Sequence, residues 1–217
     1  MSNVVIISGS TSSTSRLNGV LQQVEALLHD HKVERIDVRS LPPEDLIYTK
    51  FDSPAIIEAN RLIEQADAVV VATPIYKASY TGVLKTFLDL IPQKGLQGKV
   101  ILPIAIGGTI AHLLAIDYAL KPVLSSLGAN NQLQGVYAQD VQVNRAEDGS
   151  FGLTEELHQR LQGIRSTIRK GNTGAPAEIP GLNADRRATT ISVQSTDVVA
   201  RFCLVIDLLD FQYFLTV

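Results

Sequence analysis

From Gly9 to Arg16 the chain reads Gly9-Ser10-Thr11-Ser12-Ser13-Thr14-Ser15-Arg16, an unbroken run of hydroxyl side chains closed by a cation. An apolar stretch, Val4-Val-Ile-Ile7, precedes it, and Leu17, Val20, Leu21, Val24, Leu27 and Leu28 follow at the spacing of one buried helix face. Strand, polar loop and helix start together make an anion site. The first helical N–H groups have no internal partner, and the helix dipole places partial positive charge there. Ser10, Thr11, Ser13, Thr14 and Ser15 can add hydroxyl donors, and Arg16 can neutralise a phosphate. The G-x-G-x-x-G spacing of a pyrophosphate loop is absent, and so is the G-K-[ST] ending of a nucleoside triphosphate loop. A single phosphate, as on a mononucleotide such as FMN, suits the loop. A plain serine-rich turn with nothing bound suits it equally.

Two further stretches have the composition of ligand loops. Pro74-Ile75-Tyr76-Lys77-Ala78-Ser79 combines a stiff backbone, an aromatic wall and free backbone N–H groups. Gly107-Gly108-Thr109 lets main chain approach a ligand closely. Lys77 can meet a nucleotide phosphate or simply be solvated. His112 can touch ligand or face solvent. Lys85 and Asp89, four apart on a helix, read as a surface ion pair. No Ser/His/Asp spacing for acid–base chemistry is present, so no catalytic residue is assigned.

The elements that must carry these loops follow from periodicity. Val33–Val38 is a short, partly charged edge strand. Leu41-Pro-Pro breaks the chain, and residues 44 to 51 read as irregular. Ser53 and Pro54 open a helix that ends near Gln65, with Ser53 as its cap. Residues 67 to 73 form a β-branched run of the kind buried on both faces of a parallel sheet. A helix through Val83 to Ile91, a strand over residues 98 to 106, a long apolar helix over 111 to 127, a fifth strand over 132 to 137 and a helix over 153 to 169 complete the pattern. Strand alternating with helix in this way predicts an α/β fold, a doubly wound five-stranded parallel sheet of flavodoxin-like order 2-1-3-4-5. In that order the three loops converge beyond the carboxyl ends of strands one, three and four. A phosphate well beside a flat, backbone-lined slot is a site for FMN.

Pro122 inside the long helix lacks the N–H that would bond to the Tyr118 carbonyl, which predicts a kink or π-type bulge near Tyr118. Leu114 and Tyr118 lie off the buried stripe yet are too apolar for a solvent face. Two readings fit: a second subunit packs there and brings Tyr118 near the ligand, or a core helix tolerates a kink.

Composition bounds the rest. The chain has 217 residues, enough for one domain with a substantial core, a formal net charge of −3 and a single cysteine, Cys203. There is no basic stripe for nucleic acid. One thiolate and scattered histidines build no metal site. The expected organisation is one flavodoxin-like domain over residues 1–170 and a linker and tail of unassigned role over 171–217. The tail's apolar end, 198–217, is too charged for a membrane span. With no leader at the amino terminus, a cytoplasmic location is expected.

Several strings together resemble the NADPH-dependent FMN reductases, most nearly the reductases of two-component alkanesulfonate monooxygenase systems. They are Gly9-Ser10 with its Ser/Arg loop, Phe51-Asp-Ser-Pro54, Ala72-Thr-Pro-Ile-Tyr76-Lys-Ala-Ser-Tyr-Thr-Gly82-Val-Leu-Lys85, Gly107-Gly-Thr-Ile-Ala-His112, and the run from His112 through Tyr118 to Pro122. The likeness covers roughly residues 3 to 168. Where the family usually carries an arginine three positions after the first loop's glycine, this chain has Ser12. The resemblance implies a flavodoxin-like fold, FMN as hydride acceptor, NADPH as donor, a homo-oligomer (dimer or tetramer), and a flavin-dependent monooxygenase of alkanesulfonate type as partner. Other readings of the same site are a quinone or azo reductase that retains FMN, a flavodoxin-type electron carrier, and a binding module without flavin.

Overall fold

The computed structural model describes residues 1–171, and the expected tail lies outside them. Within this region β1 (Asn3–Ser8), α1 (Leu17–Leu27), β2 (Lys32–Asp37), α2 (Pro43–Ile47), α3 (Pro54–Glu64), β3 (Ala68–Tyr76), β4 (Ser79–Tyr80) and α4 (Gly82–Leu88) follow in order. Then come β5 (Val100–Gly107), α5 (Lys121–Ser126), β6 (Asn131–Gln132), β7 (Val136–Gln139), β8 (Val143–Arg145), β9 (Phe151–Leu153) and α6 (Glu155–Gly171). The sheet runs β2-β1-β3-β5-β6, with β7 continuing on β5 beyond β6. Apart from the β3–β4 hairpin, every pairing in it is parallel. The doubly wound order 2-1-3-4-5 is therefore the observed one, with β6 and β7 sharing the fifth place.

Alternation along the strands sorts the core into two layers. Val5, Ile7, Val69, Val71 and Ile101 pack with Ile56, Ile63, Leu84, Phe87 and Leu124 on one side. Val4, Ile6, Val70, Ala72, Leu102 and Ile104 pack with Leu17, Leu21, Leu157 and Leu161 on the other. Helices thus cover both faces, which is why the strands read as continuous apolar runs.

The structure corrects several boundaries. The stretch read as irregular contains α2, which opens with Pro43 in its first turn. Ser53 stands at the start of α3 but does not cap it, because its hydroxyl donates to Asp45 Oδ2 at 2.7 Å. Lys50 and Ser53 together hold the Asp45 carboxyl below its ordinary value. Helix α4 stops at Leu88 rather than Ile91. The expected fifth strand is split opposite Pro103, which has no N–H for a ladder, and Gly135 turns there with φ of 91°. Leu153 belongs to β9, whose hairpin with β8 lies against α1. There a Cβ on Gly19 would come within 2.6 Å of Phe151 Cβ.

The expected long helix is broken into a 3-10 turn (Ile110–His112), a π segment (Ile116–Leu120) and α5. Pro122 sits in the first turn of α5, so the distortion lies where its missing N–H leaves the helical ladder incomplete. Lys85 and Asp89 form the expected ion pair at 2.6 Å. No helix among the described residues is long and apolar enough to cross a membrane, and no metal-ligating cluster occurs among them.

Candidate active site

The exits of β1, β3, β5 and β7 meet at the carboxyl edge of the sheet around a cleft of about 210 Å³. Its walls are Ser12, Thr14, Ser15 and Arg16 from the first loop, Pro74, Ile75 and Tyr76 from β3, Ile106, Gly107 and Gly108 from β5, and Asp140. A larger groove of about 830 Å³ lies elsewhere, lined among others by Asn60, Arg61, Pro92 and Lys99. None of the hydroxyl or glycine loops reaches it. Lys99 there donates to the Glu64 and Ala66 carbonyls at the end of α3, a structural task.

The first loop is ordered by its own hydroxyls. Ser10 is buried and donates to the Ser12 carbonyl at 2.9 Å, so it shapes the loop instead of lining the cleft. Ser12 Oγ accepts from the Thr14 N–H and lies 3.0 Å from Thr14 Oγ1. Ser15 Oγ accepts the Leu17 N–H at the start of α1. Ser13 stays outside the cleft, and its carbonyl accepts from Asn18. Arg16 stands at the N-terminus of α1, where its Nε donates to the Val143 carbonyl at 3.1 Å. Hairpin β8–β9 therefore orients the guanidinium. The positive helix end and this cation act together, and both favour an anion.

A buried threonine ties this loop to the next. Thr81 Oγ1 donates to the Gly9 carbonyl at 2.7 Å and accepts from the Leu84 N–H at 3.2 Å, capping α4. Its own N–H donates to Thr73 Oγ1, which in turn donates to the Pro74 carbonyl. Gly9 is packed so closely that an added Cβ would lie 2.6 Å from Leu84 Cβ.

Strand β3 runs on into a two-residue hairpin with β4, pairing Tyr76 with Ser79. Both turn residues are left-handed, Lys77 at φ 52° and Ala78 at φ 63°, as a type I′ turn requires. The turn presents Tyr76, whose hydroxyl lies 3.2 Å from Thr11 Oγ1 across the mouth of the cleft. Lys77 and Ser79 are placed in the hairpin but do not line the cleft. A left-handed alanine costs about 1–2 kcal/mol, more than the roughly 0.5–1 kcal/mol of extra chain entropy that glycine would lose. Ala78→Gly is therefore expected to raise the melting temperature by about 1–4 °C, read by thermal unfolding. A lower value would show that the turn is not strained.

The double glycine divides its work. Gly107 is buried, and a Cβ on it would collide with the Tyr137 hydroxyl, so its missing side chain makes room for Tyr137. Gly108 alone leaves open backbone at the cleft, where a Cβ would meet only Asp140 Oδ2, at 3.6 Å. The Thr109 side chain accepts from the Ala111 N–H and does not line the cleft. Tyr118 is 80% exposed on the π segment, beside Ile110, Leu113 and Leu114, which are also exposed.

Sequence reasoning missed Ser12, Ile106 and Asp140. Asp140 follows the carboxyl end of β7, so the strand-end rule finds it once the fifth strand is placed at 136–139. The cleft brings hydroxyls and a cation from the first loop together with an aromatic side chain, open backbone and a carboxylate. That is an α/β protein with a mononucleotide-type cleft at the carboxyl edge of a parallel sheet.

Comparison with known proteins agrees. The family model described as NADPH-dependent FMN reductase matches residues 2–143. The FMN reductase (NADPH) of Pseudomonas putida KT2440 is 45% identical over 187 residues, covering 84% of this chain and 95% of that protein. The FMN reductase (NADPH) of Escherichia coli K12 is 51% identical over 142 residues, 64% of this chain and 74% of that one. Among solved structures, the apo form of the NADH:FMN oxidoreductase EmoB superposes with a TM-score of 0.65 at 36% identity, covering 82% of this chain and 92% of that chain. The chain belongs to the NADPH-dependent FMN reductase family, oxidoreductases for which FMN and NADPH are the implied cofactors.

The residues present fit FMN. Ser12, Thr14, Ser15 and Arg16 form a donor set for one phosphate, and the open backbone at Gly108 is a cradle that a side chain would narrow.

Proposed function

We propose that this reductase takes NADPH and free FMN as substrates and releases reduced flavin to a flavin-dependent monooxygenase of alkanesulfonate type, working in the cytoplasm as a homo-oligomer. Residues 1–170 are the reductase domain in this reading. Ser12, Thr14, Ser15 and Arg16 hold the phosphate, and Pro74, Ile75, Tyr76 and Gly108 face the ring. Bound FMN supplies the redox chemistry, accepting a hydride from the nicotinamide. The protein's part is to bind, to orient and to exclude water, and no side chain is assigned a proton transfer.

The observation that supports the reading is the lining of the cleft, where Ser12, Thr14, Ser15 and Arg16 stand with Pro74, Ile75, Tyr76 and Gly108 at the carboxyl edge of the sheet, in a chain of the NADPH-dependent FMN reductase family. The NADH-dependent FMN reductase SfnE of Pseudomonas putida, 35% identical over 65% of this chain and 78% of its own, also acts on FMN by its name.

The test is NADPH oxidation in air with and without added FMN. Turnover that saturates with free FMN supports the reading. Full turnover without added flavin overturns it in favour of a resident cofactor and a quinone or azo substrate. The exposed apolar side chains of Ile110, Leu113, Leu114 and Tyr118, on the segment that follows the glycine loop, support the oligomer. Tyr118→Ala is expected to shift light-scattering mass toward smaller species and to weaken flavin binding. If both stay unchanged, this surface is not a subunit contact.

A further inference from the structure

Tyr137 lies on β7 and is only 3% exposed, yet its phenol reaches the third loop of the site. The hydroxyl donates to the Thr109 carbonyl at 2.7 Å. The same carbonyl also takes the His112 N–H at 3.3 Å. The ring packs in a small cluster with Ala105 of β5, Ile116 of the π segment and Ile75 of β3. One buried side chain therefore touches the exits of β3 and β5 and the start of the distorted helix. Its own strand is braced from behind, since Arg160 donates to the Tyr137 carbonyl at 2.9 Å. Burial and the neighbouring Asp140 push the phenol above its ordinary value of 10.0, so it remains a proton donor at neutral pH.

The geometry has a directional consequence. Thr109 is extended, with φ of −144° and ψ of 146°. The Thr109–Ile110 peptide is planar and trans, so a carbonyl held toward Tyr137 turns the Ile110 N–H to the opposite side. Gly107 completes the arrangement, because only a residue without a side chain leaves room for the phenol oxygen.

We propose that Tyr137 is a positioning residue of the reductase: by holding the Thr109 carbonyl, it sets the Gly107–Thr109 backbone against which the flavin ring lies. The proposal rests on the FMN-reductase reading. Tyr137 touches no substrate; it acts through the loop.

Tyr137→Phe keeps the ring and its packing and removes only the hydroxyl. Titration of FMN into the variant, followed by quenching of flavin fluorescence, is expected to show binding about tenfold weaker, the weight of one buried hydrogen bond. Riboflavin is expected to weaken by the same factor, because the loss falls at the ring end. The visible absorption band of the bound flavin is also expected to move back toward that of free flavin. Unchanged flavin affinity in a variant that melts like the parent overturns the proposal. Failure of the parent protein to bind FMN at all would instead overturn the reductase reading.

Gly107→Ala approaches the same hydroxyl from the other side. Its loss of flavin affinity is expected to be smaller in the Tyr137→Phe background, where the added methyl meets no phenol oxygen. An equal loss in both backgrounds would mean that the methyl blocks the ligand directly, and would overturn the proposal.

Discussion

Arg16→Ala is expected to raise the KM for FMN by about 10- to 100-fold while kcat at saturating FMN changes little. The guanidinium sits at the N-terminus of α1, among the hydroxyls of the first loop, with Nε already donating to the Val143 carbonyl. Its remaining N–H groups are thereby preoriented. A hydrogen bond to a charged group contributes about 1.5–3 kcal/mol, and each 1.4 kcal/mol is about tenfold in affinity. Riboflavin, which has no phosphate, serves as the internal control and is expected to shift by less than about threefold, within the scatter of such interactions. Steady-state kinetics with both flavins decide the matter. An equal loss for FMN and riboflavin would remove Arg16 from the phosphate site and leave it a brace for β8. Arg16→Lys is expected to recover only part of the affinity, because an ammonium lacks the rigid fork with which the guanidinium can hold Val143 through Nε and still present its other N–H groups to a phosphate.

The largest expected effect on stability is at Thr81. Thr81→Val keeps the shape of a side chain that is 1% exposed and removes the hydroxyl shared by the Gly9 carbonyl and the Leu84 N–H. Both partners are buried, so each is left without its bond to Thr81. A lost N-cap costs about 1 kcal/mol, and a stranded buried carbonyl about 1–3 kcal/mol. The sum, roughly 2–4 kcal/mol, corresponds to a fall in melting temperature of about 4–15 °C for a chain of this size. Thr81→Ser keeps the hydroxyl and is expected to recover most of it. Denaturant unfolding of the three proteins is the measurement. A valine variant within about 0.5 kcal/mol of the parent, the range of an ordinary surface change, would show that Gly9 and α4 do not depend on this contact. The FMN KM of the valine variant is expected to rise as well, since Gly9 is where the first loop leaves β1.

The two experiments probe opposite ends of one construction. Arg16 lines the cleft at the end of the first loop and is the proposed phosphate contact, whereas Thr81 holds that loop to the third strand's exit. Tyr137 performs the corresponding task for the glycine loop. The reactive edge is thus supported by buried hydroxyls, each joining segments far apart in the chain.

Much of this was legible without coordinates, and the legible parts share a cause. The β-branched run before Thr73, the apolar stripe of α1 and the doubly wound order follow from periodicity within one element and from the chirality of crossovers. The hydroxyl loop and the break near Tyr118 are also local. In each, a missing or available backbone group is set by residues within a turn of it, as Pro122 is to Tyr118. What the sequence alone determined is therefore the alternation of elements, the edge on which the loops gather and the place where the long helix fails. Only the tertiary structure decided that the fifth strand splits opposite Pro103, that Arg16 is tied to Val143, that Ser10 turns inward and that Asp140 enters the cleft. It also decided that Gly107 is glycine to admit Tyr137. These features arise from groups distant in sequence that meet only when strand register and layer packing bring them together. No short-range periodicity encodes such a meeting, because its geometry is fixed by which buried polar groups find partners in the assembled fold.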